Sequence, residues 1–183
     1  MRIEKYDVFL KCLSVLKHLT HYNEKKKVNI MKNKKQVILD TNIFVKLDEE
    51  NIDPNLVKSR FKIFSSNAQL SEILADKNHT RKESRTKYYH SLSPVKLKLE
   101  SGVWIDKLIW DDDQIWQDNP SATVENIRGN SNKSNTWIDA MIAEVAKLNN
   151  LILVTHEAKI RKRATKNGIS VLDYNQFIDL LNS

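Results

Sequence analysis

Short apolar segments alternate along the chain with longer stretches in which apolar residues recur at helical spacing. Continuous apolar runs such as 37–39 and 151–154 are typical of strands that are buried on both faces of a parallel sheet. Residues 61–64, 102–110 and 169–172 complete a set of five predicted strands. Strands that alternate with helices favour a three-layer α/β/α fold, in which helices cover both faces of a doubly wound, mostly parallel sheet.

Helical spacing and capping residues predict the segments between these strands. Helices are expected after Asp40 and over 55–60, from 68, from 136 to 148, over 158–166 and over 175–181. Thr41 and Asn42 are predicted to cap the first helix, and Thr136 the helix that contains Asp139. Residues 76–98 are predicted to be a polar helix or loop, and the Asn, Ser, Gly and Pro content of 117–135 predicts a loop.

Length and charge divide the chain into two predicted parts. With 183 residues, one domain and an appendage are expected. Residues 1–35 hold ten Lys or Arg and three acids, and this difference accounts for the whole net charge of +7. The rest of the chain contains equal numbers of basic and acidic residues. We therefore predict a basic, amphipathic helical extension over residues 1–30 and a domain over 31–183. A basic tail can bind phosphate backbones, although a charge run is more often a solvated surface.

Cysteine usage and hydropathy limit the cellular setting. A single cysteine, Cys12, allows neither an internal disulfide nor a cysteine-based zinc cluster, which fits a reducing cytoplasm. No apolar run approaches the roughly 18 residues that a membrane span requires. We therefore expect a soluble cytoplasmic protein without a membrane partner.

Asp40 follows the first predicted strand, and ligands of open α/β sheets bind beyond the carboxyl ends of strands. One interpretation is a structural aspartate. A phosphotransfer site with a second acid two residues later is disfavoured because that residue is Asn42. A dinucleotide site is disfavoured because none of the three glycines lies in this turn. The remaining interpretation, a metal site, requires more carboxylates at neighbouring strand or helix ends.

Three further acids lie where such a site needs them. Glu72 follows the second strand, Asp139 lies near the start of a helix, and Glu157 follows the fourth strand. Each also has a structural interpretation; the helix macrodipole, for example, favours an acid such as Asp139 in a first turn. Basic residues that could hold the phosphates of a substrate, or be plain surface charges, are Arg128, Lys133, Arg161 and Arg163.

Two segments of the chain resemble the PIN-domain nuclease family. Residues 37–44, Val-Ile-Leu-Asp-Thr-Asn-Ile-Phe, resemble its opening strand, and residues 137–146 and 151–157 resemble its closing helix and strand. Residues 70–74, Leu-Ser-Glu-Ile-Leu, match its second acid by position, so the resemblance spans about 36–181. It implies a metal-dependent ribonuclease that hydrolyses phosphodiester bonds with Mg²⁺ or Mn²⁺ bound by Asp40, Glu72, Asp139 and Glu157.

The same resemblance implies supporting residues and partners. Asn42 would orient Asp40 or the attacking water, and Thr155 would hydrogen-bond near the metal or cap the following helix. RNA would be the substrate, and a toxin-type role, an inhibitor or antitoxin protein and a homodimer are further expectations from the resemblance. The chain departs from the family at Glu157, where aspartate is usual, and in its long segment between Glu72 and Asp139.

Two alternatives stay open at this point. One is a catalytically silent PIN-like module that binds RNA or a protein, which is favoured if the substitution at Glu157 spoils the metal site. The other is an unrelated doubly wound metal phosphatase or small-molecule enzyme. Metal titration together with an RNA cleavage assay would separate these classes.

Overall fold

A computed structural model describes residues 34–99, 120–131 and 133–183. The chain divides into two units, Met1–Lys34 and Lys35–Ser183, and all described helices and strands belong to the second. The predicted extension over 1–30, Cys12 and the predicted strand over 102–110 lie outside the described residues and stay predictions. No helix in the described ranges is both long and apolar enough to cross a membrane.

Within the described residues, five parallel strands form one sheet in the order β3-β2-β1-β4-β5. They are β1 (Lys35–Leu39), β2 (Phe61–Ser65), β3 (Val95–Lys96), β4 (Ile152–Val154) and β5 (Val171–Leu172). From β1 the chain builds outward to β3, and it then returns past β1 to add β4 and β5. The sheet is therefore doubly wound, and its switch point lies between β1 and β4.

Eight helices connect these strands within the described ranges. They are α1 (Thr41–Glu49), α2 (Pro54–Arg60), α3 (Asn67–Leu74), α4 (His79–Leu92), α5 (Ala122–Arg128), α6 (Ser134–Leu148), α7 (Ala158–Lys166) and α8 (Tyr174–Asn182). Successive strand residues point to opposite faces of the sheet. Ile38 and Leu153 accordingly pack with α5, α6 and α7, while Leu39 and Val154 pack with α1, α2, α4 and α8. This arrangement confirms the predicted three-layer α/β/α fold.

Two local predictions are wrong or incomplete. The segment 76–98 contains not only helix α4 but also β3, and both residues of this strand are exposed, so no apolar run marks it. The segment 117–135, predicted as a loop, contains α5. Only Val124 and Ile127 of α5 are buried, which is too few apolar positions to give a periodic signal.

Helix starts differ from the predicted caps in two places. The N-cap residue of α1 is Asp40, so Thr41 already lies in the helix. Helix α6 begins at Ser134 after Lys133, two residues before the predicted cap at Thr136. Asp139 therefore lies in the second turn, where the macrodipole stabilises a negative charge less than in the first.

Candidate active site

Asp40 lies at the switch point of the sheet, directly after β1, and is only 2% exposed. Its backbone N–H donates a hydrogen bond of 2.9 Å to the carbonyl oxygen of Val154. Its Oδ2 accepts a hydrogen bond of 2.7 Å from Oγ1 of Thr155, and the same Oγ1 accepts one of 3.1 Å from the backbone N–H of Glu157. A single hydroxyl thus fixes both Asp40 and the turn that carries Glu157.

Glu72 reaches the same edge of the sheet from α3. The start of that helix is tied to the end of β1, because Nε2 of the buried Gln69 donates to the carbonyl oxygen of Leu39 over 3.2 Å. Oγ1 of Thr41, the residue after Asp40, donates a hydrogen bond of 2.6 Å to Oε2 of Glu72. The hydroxyl of Thr41 therefore orients the carboxylate of Glu72, whereas the sequence predicted that Thr41 caps α1.

A cleft of about 320 Å³ opens beyond the carboxyl ends of the strands. Three of the four predicted acids line it: Glu72, Asp139 and Glu157. Asn42 is exposed and lines the same cleft. The fourth acid, Asp40, is buried beside the cleft and acts electrostatically on Asp139. The fold thus gathers all four predicted acids at one place, from four different segments of the chain.

Burial and neighbouring negative charges raise the pKa values of two of these acids, Asp139 and Asp40. The pKa of Asp139 is raised to about 8, chiefly by burial and in addition by the negative charges of Asp40, Glu72 and Glu157. The pKa of Asp40 is raised to about 6: burial is the largest cause of the rise and the charge of Glu157 contributes to it, while hydrogen bonding, chiefly from Thr155, opposes it. Carboxylates that are buried together and repel one another are typical of sites that bind cations or transfer protons.

The donor set of the cleft fits a hard divalent cation such as Mg²⁺ or Mn²⁺, for which carboxylate oxygens are preferred ligands. Oδ1 of Asp40 is buried without a hydrogen-bond partner in the described part of the chain, which is uncommon for a carboxylate oxygen. Across 34–99, 120–131 and 133–183, no group of three or more His, Cys, Asp or Glu could hold a metal ion as the side chains stand. Mg²⁺ commonly binds proteins through one or two carboxylates and otherwise through water.

Two of the predicted phosphate-binding residues donate hydrogen bonds within the fold. Nη1 of Arg161 donates to the carbonyl oxygen of His156 over 2.7 Å, at the turn before α7. Nη1 of Arg163 donates to the carbonyl oxygens of Ile127 and Arg128, over 2.9 and 2.7 Å. Both guanidinium groups therefore position the backbone, and a contact with substrate phosphate stays a prediction for them.

The other two predicted basic residues lie at the α5 to α6 connection. The guanidinium carbon of Arg128 stacks 4.1 Å from the ring centroid of Trp137. Lys133 is exposed and precedes α6 as its N-cap residue. Neither side chain lines the cleft.

An ion-pair cluster that no local sequence pattern marks lies at the rim of the cleft. Arg85 lines the cleft, and its Nη1 lies 2.6 Å from Oδ2 of Asp76, which also lines it. Nη2 of Arg85 lies 2.9 Å from Oε1 of Glu49. These partners are 9 and 36 residues away along the chain, so only the tertiary fold identifies them.

No family model and no curated protein matches this chain. Among solved structures, it is similar to a domain of a functionally unknown protein from Methanocaldococcus jannaschii DSM 2661. That match has a TM-score of 0.45 and a sequence identity of 20%, and it covers 76% of this chain and 90% of that chain. The chemistry of the cleft is therefore the basis on which a function can be assigned.

Proposed function

We propose that this protein is a metal-dependent endoribonuclease whose active site is the acidic cleft beyond β1 and β4. The observation that carries the proposal is the pair Asp40 and Asp139: burial raises the pKa of both carboxyl groups above the ordinary value for aspartate, and the charge of Asp40 adds to the rise for Asp139. A bound divalent cation relieves such repulsion, and it supplies a water of lowered pKa and charge neutralisation at a phosphoryl group. The resemblance of residues 36–181 to PIN-domain nucleases favours RNA as the substrate.

Asp40 and Asp139 would hold the cation, because burial raises the pKa of both carboxyl groups and a bound cation would stabilise their charged forms. Oδ1 of Asp40 is the oxygen that the described hydrogen bonds leave for this role. Thr155 holds the other oxygen, Oδ2, and so keeps the carboxylate from rotating. The buried position of Asp40 also keeps bulk water from screening its charge.

Glu72 and Glu157 line the cleft together with Asp139 and would add two further carboxylates near the cation. Thr41 donates its hydroxyl to Glu72 and so fixes the direction of that carboxylate. Asn42 is exposed at the cleft, where its amide can donate to a phosphate oxygen or to the attacking water. Water would add to phosphorus and give up a proton to solvent or to a cleft carboxylate, while the P–O bond to the leaving oxygen breaks and that oxygen takes up a proton. No covalent bond between the protein and the substrate is needed.

By the same resemblance, we include a toxin-type role in the proposal. An inhibitor or antitoxin protein would then act as a partner, the protein would work in the cytoplasm, and two copies would form a homodimer. These features rest on the resemblance alone. Cleavage of RNA by the purified chain is the part of the proposal that is tested first.

The test is cleavage of a mixed RNA pool by the full-length protein with Mn²⁺, with Mg²⁺ and with a chelator. We expect cleavage only with a divalent cation, and calorimetric binding of Mn²⁺ to the same preparation. Asp40→Asn and Asp139→Asn should abolish cleavage, while each variant folds and is as stable as the parent or more so, because one repelling charge is removed. Asp179→Asn, at an exposed acid of α8, is the matched control and should cleave normally.

Full activity in either purified cleft variant would contradict the proposal. Binding of Mn²⁺ without cleavage of any RNA would instead favour the silent module or the phosphatase. Hydrolysis of a small phosphomonoester under the same conditions distinguishes these two, since only a phosphatase would turn it over.

A further inference from the structure

Helix α7 carries five basic residues in nine positions, and the fold separates them into two sets. Arg161 and Arg163 are partly buried and donate hydrogen bonds to backbone carbonyls. Lys159, Lys162 and Lys166 are exposed, and none of them has a hydrogen-bond or ion-pair partner in the described part of the chain. We call these three residues the α7 lysine face.

The three lysines share one side of the helix. Positions separated by three and four residues are neighbours on a helical surface, so Lys159, Lys162 and Lys166 form one line. At 1.5 Å of rise per residue, this line is about 10 Å long. Ile160 and Ala164 are the buried residues of α7 and lie on the opposite side, against the sheet. The lysine face therefore points to solvent along its whole length.

The α7 lysine face begins next to the cleft. Glu157, which lines the cleft, is the N-cap residue of α7, and Lys159 follows two residues later. The hydrogen bonds from Arg161 to the carbonyl oxygens of His156 and Thr155 tie the first turns of the helix to this turn. The cleft and the lysine face are thus held in a fixed relation by one short segment.

The charge of this face contrasts with that of its surroundings. Residues 158–166 contain no acid, although the chain beyond residue 35 is balanced overall. The cleft itself is acidic, and Arg85 at its rim is already paired with Asp76 and Glu49. A polyanion that enters the cleft therefore needs a cationic surface beside it, and α7 supplies one whose lysines pair with no acid in the part of the chain that the structure describes.

We propose that the α7 lysine face binds the sugar-phosphate backbone of single-stranded RNA that enters the cleft next to Glu157. The identification of the strand as substrate rests on the proposed function, whereas the binding itself does not require cleavage. Lysine ammonium groups act as point charges on flexible stems, so the contact is with phosphates and is independent of base sequence. The surface would hold the strand while the acids of the cleft act on a neighbouring phosphodiester.

The experiment measures binding of a labelled single-stranded RNA to the full-length protein by fluorescence anisotropy, in chelator, over a series of salt concentrations. The test variant is the triple substitution Lys159→Gln, Lys162→Gln, Lys166→Gln, which keeps good helix formers at exposed sites. Each lost phosphate contact lowers the salt slope by about 0.7, so the slope should become shallower by about 2. Affinity at low salt should fall about tenfold or more.

The matched control removes the same charge elsewhere. Lys77, Lys87 and Lys96 are exposed, lack a described partner and belong to the turn before α4, to α4 and to β3. Their triple substitution to Gln should leave the salt slope nearly unchanged. Equal effects of the two triple variants would overturn the proposal, because net charge alone would then explain binding. An unaltered slope in the α7 variant would also overturn it, and would leave the face to an acidic protein partner or to solvent.

Two further measurements keep the outcomes distinct. Circular dichroism and thermal unfolding test whether each triple variant folds. The single variant Lys162→Gln should change the salt slope of RNA binding by about a third of the change seen in the α7 triple variant. Wild-type protein that binds RNA through this face but never cleaves it with Mn²⁺ would contradict the proposed function and leave this inference standing. Protein that cleaves RNA with an unchanged KM in the α7 variant would overturn this inference alone.

Discussion

Oγ1 of Thr155 donates a hydrogen bond of 2.7 Å to Oδ2 of Asp40, and 115 positions of chain separate the two residues. Both side chains are nearly inaccessible to solvent, so water neither screens nor replaces the bond. It joins the ends of β1 and β4 at the point where the strand order of the sheet reverses. The hydroxyl of Thr155 therefore holds the two strand ends together and also lowers the pKa of Asp40 beside the cleft.

Thr155→Val should destabilise the protein by about 1–3 kcal/mol at neutral to alkaline pH, because it leaves a buried carboxylate oxygen without its donor. The loss should be smaller in acid, where Asp40 is protonated and needs no donor for a charge. Urea unfolding at both pH values measures this difference. Thr155→Ser keeps the hydroxyl and loses only the methyl group, so it is the control and should lose less stability; a loss in Thr155→Val no larger than in Thr155→Ser, or one independent of pH, would contradict the prediction.

The metal-free protein should become more stable as the pH falls from about 8 to about 4. The pKa values of Asp139, about 8, and Asp40, about 6, are raised above the ordinary 3.8, so the folded state binds more protons than the unfolded state in this interval. This stabilisation is fully present below the unfolded pKa and is lost as the pH rises through 6 and then 8.

Thermal unfolding in chelator at about pH 5, 7 and 9 checks that pH dependence. Other titrating groups contribute to the curve, so the informative quantity is the difference between wild type and Asp139→Asn. The variant should have the flatter profile and the higher melting temperature at the alkaline end. Parallel profiles for the two proteins would show that Asp139 titrates near its ordinary pKa.

Glu157 is exposed at the start of α7, and its role in metal binding can be separated from its role in the fold. If the carboxylate binds the cation, Glu157→Asp should retain or improve the affinity for Mn²⁺, whereas Glu157→Gln should weaken it. The backbone N–H of residue 157 still donates to Thr155 in every variant, so the turn is preserved. Calorimetric titration gives the affinities, and three equal values would place Glu157 outside the metal shell.

The strands and helices were predictable where the pattern of apolar residues in the sequence matches the residues that the fold buries. Residues 151–154 were marked as a strand by an apolar run, and α7 was predicted with its observed bounds, 158–166. β3 gives no such signal, because Val95 and Lys96 are exposed and enter the sheet only through their pairing with Phe64 and Ser65. Pairing between distant segments depends on the whole fold, and no local pattern encodes it.

The candidate site divides in the same way. Asp40 and Glu157 could be located from the strands that precede them, since strand ends are readable in the sequence. The contact of Thr41 with Glu72 joins residues 31 positions apart, so the sequence offered only the local interpretation of Thr41 as a cap. Charge alone makes Arg161 and Arg163 candidates for phosphate binding. Which groups they contact depends on the direction in which each side chain points, and the packing of the fold sets that direction.

Gly129→Ala should destabilise the protein by about 1–3 kcal/mol, since φ of +62° and ψ of −143° form a conformation that only glycine adopts readily. An added Cβ would also lie 2.8 Å from Nη2 of Arg163, whose hydrogen bonds satisfy the last carbonyls of α5. Gly168→Ala is the control, because φ there is +78° but nothing lies within 4 Å of the new Cβ. Urea unfolding should give the larger loss for Gly129→Ala; equal losses would mean that backbone strain alone matters and that Arg163 moves aside freely.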